Sequence, residues 1–391
     1  MKIAGNSFEE FHNVAHRKKI IAFGASDFLR VISLNYKDLW LDHYIDSVAD
    51  NDIGKQGGCM MVNGSRKHII SPDNLREYDV DSFAVLISSD AYAYEIYRQL
   101  DAMLGDKAVD IFVLPMMISA HMDDATEKYM LERRDEKRKI PKTIHYFWFS
   151  GEKKDELSLK CIESWKKACP EYELKEWNSS NYDVTANPFA YEAYKQGKWA
   201  YVSDYARLDT VYKYGGIYLD LDVFLYKNLD VLLKNDFFVG FGPIRDIEAA
   251  IFGAVKGQPA VKEMMDIYRD REFDVDTSMR LPNLQPILLD RFFESKGFKI
   301  NGKYQQKDGM TIFPRDLFSA KNWFTGEYEV TDAALGVHEC AGGWVGKNGK
   351  GSKQIRAEGI RKLEGLYKEQ KMDECTYKGD TRRMIANTEE L

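Results

Sequence analysis

No stretch of this chain stays apolar for the ~20 residues that a membrane-spanning helix needs. The run Ile111–Ala120 (IFVLPMMISA) is about half that length and is broken by Pro115. The opening segment Met1–Lys19 carries Glu9, Glu10, His12, His16 and Arg17 where a secretory leader would carry an apolar stretch, so no such leader is expected there. Cysteine is sparse and odd in number: Cys59, Cys161, Cys169, Cys340 and Cys375 are scattered, with no CxxC pair and no metal-ligand spacing. That excludes a disulfide framework and makes reduced thiols in the cytoplasm the expectation. Positive charge is not in surplus. The net charge is −7, which argues against a general nucleic-acid binder. The glycine fingerprint of a dinucleotide site is also incomplete. Phe23–Arg30 reads FGASDFLR and lacks the second and third glycines, so neither NAD nor FAD is expected in residues 1–135.

What is present is enough apolar material for sizeable cores. At 391 residues and 44% hydrophobic, the chain is too long for one ordinary core and suggests two domains plus an appendage. Short apolar runs at Lys19–Gly24, His43–Val48, Phe83–Ser88 and Asp110–Leu114 alternate with helix-like stretches, to about Leu41 and from about Ala91 to Met103. Strands alternating with helices predict a doubly wound α/β sheet over residues 1–120. The charge-dense segment 121–139 reads as a solvated helical linker closed by Pro141. A second α/β domain is expected over 140–350, and a helix with a polar tail over 351–391, the helix at Gln354–Lys371.

Within the second domain, Lys142–Phe149 (KTIHYFWF) reads as a strand, Leu157–Ala168 as a helix with Trp165 on its apolar face, and Tyr172–Trp177 as a strand. Apolar residues at helical spacing make Tyr201–Tyr214 a helix, ended by Gly215-Gly216, which supply positive φ. Ile217–Val223 (IYLDLDV) is then a strand with Asp220 and Asp222 near its end. On a strand, residues i and i+2 point to one side, so the two carboxylates repel unless a cation lies between them. Mg²⁺ and Mn²⁺ prefer oxygen ligands and commonly take one or two carboxylates plus substrate phosphates. Solvated aspartates at a surface strand end are the plain alternative.

The run Ser203–Val223 (SDYARLDTVYKYGGIYLDLDV) resembles the sugar-binding DXD region of glycosyltransferase family thirty-two, which includes bacterial capsule and lipopolysaccharide sugar transferases and fungal mannosyltransferases. It is also similar to the catalytic core of bacterial glucosylating toxins. Ile140–Gly151 (IPKTIHYFWFSG) resembles the family's opening strand, and Val337–Lys347 (VHECAGGWVGK) its closing block. The resemblance implies a GT-A-type nucleotide-sugar-binding domain, preceded here by a Rossmann-like doubly wound domain. It further implies a retaining transferase that uses Mn²⁺ or Mg²⁺ and a UDP-sugar, with galactose or glucose the expected hexose. Carried over by position, Trp148 would stack on the donor base, and Asp204 and Arg207 would hold the donor sugar. Tyr218 would line the donor site. Asp220 would contact ribose and metal, Asp222 would bind the metal directly, His338 would be a third ligand and Lys347 would reach the diphosphate. Asp220, Asp222 and Arg207 form the implied catalytic set. The closing block departs from the family at Gly343, where a serine usually precedes the tryptophan, and at Glu339 and Cys340, where an aromatic often follows the histidine.

Each residue also has a plainer reading: Trp148 in the core, Asp204–Arg207 as a surface ion pair, His338 and His145 as hydrogen-bonded structural histidines. YLDLDVFL also fits a phosphatase of the haloacid dehalogenase type, although that class puts the motif on its first strand. A non-catalytic scaffold of polysaccharide assembly is a further alternative. The acceptor implied is a saccharide or a lipid-linked sugar. The basic residues Lys347, Lys350, Lys353, Arg356, Arg361 and Lys362 read either as a solvated helix or as a peripheral hold at the inner face of a membrane.

Overall fold

The computed structural model describes residues 2–105, 107–121, 137–274, 285–342 and 353–372. The chain forms two compact units, the first of residues 1–122, 323–326 and 347–391, the second of 123–322 and 327–346. Most of the expected linker, along with Lys347, lies outside the described residues. Among the described residues, no helix is long and apolar enough to cross a membrane.

The first unit is built on strands β1 (Lys2–Gly5), β2 (Lys19–Phe23), β3 (Ile45–Ala49), β4 (Cys59–Val62), β5 (Ser65–Ile70), β6 (Phe83–Ile87) and β7 (Asp110–Val113). Their order across the sheet is β1-β7-β6-β2-β3-β5-β4, parallel except for the β4–β5 hairpin. The interior strands β2 and β6 are apolar on both faces, as parallel strands between helices must be. The turn after β2, where the glycine fingerprint is incomplete, is closed from within. The Ala25 N–H donates to Asp50 Oδ2 at 2.7 Å, and Lys55 Nζ reaches the same oxygen at 3.2 Å.

The helix over 353–372 packs back on this first unit. Ile360 and Leu363 are fully buried, Arg356 pairs with Asp90 at 3.0 Å and lies 4.4 Å from the Trp323 ring centre, and Arg361 donates to the Thr325 carbonyl. Arg356 of the basic stretch is therefore buried among internal partners, whereas Arg361 stays exposed on the helix while one of its nitrogens donates to a backbone carbonyl.

The second unit carries β8 (Thr143–Phe147), β9 (Glu173–Trp177), β10 (Gly216–Leu219), β12 (Phe237–Phe241), β13 (Ile247–Ala254), β14 (Gln305–Lys307) and β15 (Met310–Phe313) in the order β14-β15-β12-β13-β10-β8-β9. Strands β9, β8 and β10 are parallel, and β13 runs antiparallel beside β10. A separate ribbon pairs β11 (Val223–Leu225) with β16 (Gly336–His338). Apolar cores cover both faces of the large sheet, and β10 feeds both, with Tyr218 on one side and Ile217 and Leu219 on the other.

The connection into β10 is tightly determined. Gly215 and Gly216 have φ of +69° and +110°. A Cβ on Gly216 would stand 2.8 Å from the Thr143 carbonyl oxygen and 2.9 Å from His145 Nε2. His145 is buried, donates from Nε2 to the Gly215 carbonyl at 2.8 Å and accepts at Nδ1 from the Trp177 indole at 3.1 Å. The ring is thus a neutral strut from β8 to the Gly215 turn on one side and to the Trp177 side chain of β9 on the other. Burial, first of all, lowers its pKa from 6.5 to about 4. An unfolded chain takes up a proton near pH 6.5 that the folded chain refuses until about pH 4. Stability is therefore full above pH 6.5 and falls as pH drops through that window, by roughly 3 kcal/mol at ~1.4 kcal/mol per pH unit. Urea titrations from pH 7.5 to 4 should show this loss in the wild type, and His145→Gln should flatten it. An equal slope in both proteins would remove the assignment.

Candidate active site

The helix Trp199–Tyr214 precedes the glycine turn and is buried from Tyr201 to Val211 apart from Asp204. The plain reading of Asp204 and Arg207 as a surface ion pair would put one face of it in water. Packing covers it on every side, so its polar residues need partners inside. Arg207 finds them. Its Nε donates to the Ser203 carbonyl at 3.0 Å, Nη1 to the Ala249 carbonyl at 3.0 Å, and Nη2 to Ser203 Oγ at 3.1 Å. Nη2 also lies 3.2 Å from Asp204 Oδ1 and 3.6 Å from Asp220 Oδ1. With 7% of its side chain accessible, Arg207 is not half of a surface ion pair. The guanidinium also sits 4.7 Å from the ring centre of Tyr218, whose hydroxyl donates to Asp220 Oδ1.

The aspartate pair does not lie on a strand. Strand β10 stops at Leu219. Asp220 keeps one sheet bond, from its N–H to the Ala250 carbonyl, and its own carbonyl accepts from Val223 N–H at 3.1 Å. That turn lifts the chain out of the large sheet and into the β11–β16 ribbon. The two carboxylates converge because the chain turns a corner between two sheets, and strand alternation has no part in it.

The ribbon supplies the rest. The Val223–His338 pair aligns β16 so that His338 Nε2 stands 3.3 Å from Asp222 Oδ1. Asp222 Oδ2 accepts from Ala341 N–H at 2.8 Å, and the Asp222 carbonyl accepts from Glu339 N–H. Ligand atoms of Asp220, Asp222 and His338 all lie within 4.8 Å of one another. Two carboxylates and an imidazole at that spacing fit a divalent cation of hard to borderline character.

Charge is unevenly distributed over the cluster. Burial raises the Asp204 carboxyl to about 7, against the pull of Arg207, and burial likewise raises Asp220. Burial acts the same way on Asp222, but the His338 charge, its hydrogen bond and the Ala341 N–H outweigh it and hold that carboxyl at about 2. His338 is held well above its ordinary value. Burial opposes its charge, and Cys340, Glu248 and Asp222 around it prevail. Asp220, Asp222 and Glu248 outnumber Arg207 and His338, and Asp204 adds to the acidic side as its carboxyl ionises, so the basin favours an added cation.

Asp204, Arg207, Tyr218, Asp220, Asp222 and His338 thus form one connected network. Trp148 is not among its contacts. It is half-buried at the end of β8, its indole N–H donates to the Glu152 carbonyl at 2.6 Å, and Lys154 Nζ lies 5.3 Å from its ring centre. It is therefore not a core residue; Phe147 and Phe149 beside it are. Lys347 is outside the described residues. Glu248 escapes a reading of the sequence by motif. Its Oε1 lies 2.5 Å from His338 Nδ1, and Ser319 donates to its other oxygen. The available signal is one carboxylate in the otherwise apolar strand β13, IEAAIFGA.

Residues 155–239 match the family described as glycosyltransferase sugar-binding region containing DXD motif. The matched segment encloses Asp204, Arg207, Tyr218, Asp220 and Asp222 and leaves Trp148 and His338 outside. The chain is similar to inositol phosphoceramide mannosyltransferase 3 of Schizosaccharomyces pombe (strain 972 / ATCC 24843), 31% identical over 134 residues, 32% of this chain and 36% of that protein. It is similar to inositol phosphoceramide mannosyltransferase 1 of the same yeast, 27% identical over 159 residues, 38% of this chain and 46% of that one. The chain thus spans less than half the length of these relatives. Among solved structures, PaToxG glycosyltransferase aligns with a TM-score of 0.34 and 14% identity, over 43% of this chain and 72% of that one. A glycosyltransferase involved in glycosylation of the major capsid of PBCV-1 aligns with a TM-score of 0.30 and 13% identity, over 55% and 98%.

Replacing Arg207 by lysine keeps the charge and removes the fork that serves Ser203, Ala249 and Asp220 at once. Arg207→Lys should lower the stability of the protein by roughly 2–4 kcal/mol, because buried acceptors lose their donors. Chemical denaturation measures this, and a change below ~0.5 kcal/mol would place the side chain in solvent after all.

Proposed function

We propose that this chain is a divalent-metal-dependent glycosyltransferase. In this reading it moves a hexose from a UDP-sugar, with retention of anomeric configuration, to a saccharide or lipid-linked acceptor in surface-polysaccharide synthesis. The observation that carries the reading is the Asp220–Asp222–His338 cluster, tied through Asp220 to a buried Arg207, inside and beside the segment matched to the DXD sugar-binding region. The β9-β8-β10 parallel strands with β13 antiparallel beside them support a GT-A-type second unit, and the largely parallel first sheet supports a Rossmann-like domain with a structural or docking role. The family number thirty-two rests on the sequence resemblance alone. The proposed setting is cytoplasmic, peripheral to the inner face of a membrane where the acceptor is lipid-linked.

DXD glycosyltransferases generally use a divalent metal, and Mn²⁺ or Mg²⁺ held by Asp220, Asp222 and His338 would offset the charge of the departing diphosphate. The protein's own groups do the rest. Arg207 fixes Asp220 and brings a permanent positive charge to the donor side. Asp204, with 16% of its side chain accessible, accepts hydrogen bonds from donor-sugar hydroxyls. Trp148 offers a ring face to the base, the other face being covered by Lys154. The acceptor hydroxyl attacks on the face the diphosphate leaves, and a phosphate oxygen takes its proton.

Both fungal relatives are mannosyltransferases by name, which favours a second reading in which the hexose is mannose. A hydrolysis screen of UDP-glucose, UDP-galactose and GDP-mannose, with and without Mn²⁺, separates the two. Turnover of aryl phosphates in place of sugar nucleotides would favour the phosphatase alternative, and metal-independent inertness toward every donor would favour a scaffold. Asp222→Asn should lower kcat/KM by about 10³-fold or more while circular dichroism still shows a folded protein; near-normal turnover would sink the assignment. Asp204→Ala should impair turnover of the full donor yet leave the affinity for free nucleoside diphosphate within about 2-fold, as expected for a contact to the sugar alone. Equal losses in both measurements would move Asp204 from the sugar to the diphosphate.

A further inference from the structure

His338 has two ring nitrogens, and each faces a different set of ligands. Nε2 faces Asp222, while Nδ1 faces Glu248 Oε1 at 2.5 Å and Cys340 Sγ at 3.4 Å. Ligand atoms of Glu248, His338 and Cys340 also lie within 4.8 Å of one another. Cys340 reaches this position because its backbone takes a φ of +49°, which turns the chain so that Ala341 N–H meets Asp222 while the thiol folds back on the His338 ring. Glu248 is held from behind by Ser319 on its other oxygen, which leaves Oε1 aimed at the ring.

We infer that Glu248, His338 Nδ1 and Cys340 form a second metal site, selective for a thiophilic divalent ion such as Zn²⁺ or Cd²⁺. One sulfur, one nitrogen and one oxygen make a ligand set suited to zinc and poorly suited to Mg²⁺. Ligand atoms bound to a tetrahedral zinc at ~2.0–2.3 Å stand roughly 3.5 Å apart. The Sγ–Nδ1 distance already matches this, and Glu248 Oε1 needs to withdraw by about an ångström. On binding, the Nδ1 proton and the thiol proton pass to solvent, and the ring keeps its Nε2 proton, directed at Asp222.

This site excludes the other. A ring that carries metal on Nδ1 and a proton on Nε2 cannot also serve as third ligand beside Asp220 and Asp222. The thiophilic ion therefore weakens binding of the hard cation. That consequence rests on the proposed role of the aspartate cluster, whereas the existence of the second site does not.

The test uses the full chain without any sugar donor. Co²⁺ bound by a thiolate gives a sulfur-to-cobalt charge-transfer band in the near ultraviolet. The band should appear in wild type, persist in Asp222→Asn and in Cys59→Ser, and vanish in Cys340→Ser. In competition titrations, Zn²⁺ affinity should fall by ~10-fold or more in Glu248→Gln and further in Cys340→Ser. Near-UV circular dichroism confirms that each variant is folded. No band in wild type, or a band and Zn²⁺ affinity unchanged in Cys340→Ser, overturns the site. Zn²⁺ should also lower Mn²⁺ affinity, read by electron paramagnetic resonance, in wild type and not in Cys340→Ser. Loss of that competition alone, with the cobalt band intact, leaves the second site standing and counts against the role given to Asp220 and Asp222.

Discussion

A guanidinium sealed between a helix and a sheet is expensive unless every donor is met and its charge is balanced. Arg207 meets that demand with two backbone carbonyls, one serine hydroxyl and the carboxylates of Asp204 and Asp220. The helix Trp199–Tyr214 can be buried from Tyr201 to Val211, apart from Asp204, because such partners exist. The same partners determine where β10 must end, since Asp220 has to reach the guanidinium. Gly215 and Gly216 make the short return possible, and His145 braces it from the neighbouring strand. The structural requirement and the proposed chemistry meet in one contact, because the residue that neutralises Arg207 is also half of the aspartate pair.

The pair is divided between two parts of the fold. Asp220 is bound to the large sheet through Ala250 and to Arg207, whereas Asp222 is bound to the ribbon through His338, Glu339 and Ala341. The chain crosses from one sheet to the other between them. A cation there would link the two sheets as well as serve a diphosphate. The opposite perturbations of the two carboxyls follow from this division. Asp220 is desolvated beside other carboxylates, and Asp222 is hydrogen-bonded by an imidazole and a backbone N–H.

His338 is the pivot on the ribbon side. Its ring is shared by carboxylates on both edges, with a thiol on the Nδ1 edge, in a chain whose cysteines are otherwise scattered. An aromatic side chain after the histidine would leave the Nδ1 edge to Glu248 alone. Cys340 makes that edge a ligand set in its own right.

Much of the scaffold was legible in the residues. Short apolar or alternating runs placed β2, β6, β7, β8 and β9 to within a few residues, with glycine marking the ends of β2 and β8, because local periodicity and turn chemistry decide where strands start and stop. The SDYAR…GGIYLDLD pattern placed Asp204, Arg207, Tyr218, Asp220 and Asp222 in one neighbourhood, since a helix, a two-glycine turn and a short strand leave little freedom between them. Three matters were decided only in three dimensions. Burial of Arg207 depends on what packs over its helix, and spacing along the helix does not report that. The aspartates sit on a turn because Val223 pairs with His338, a partner far away in the sequence. Glu248 joins the site because β13 lies beside β10, and a single carboxylate in an apolar strand carries no mark of which histidine it will meet. Local backbone preference is written residue by residue, whereas charge pairing across sheets exists only after the sheets have formed.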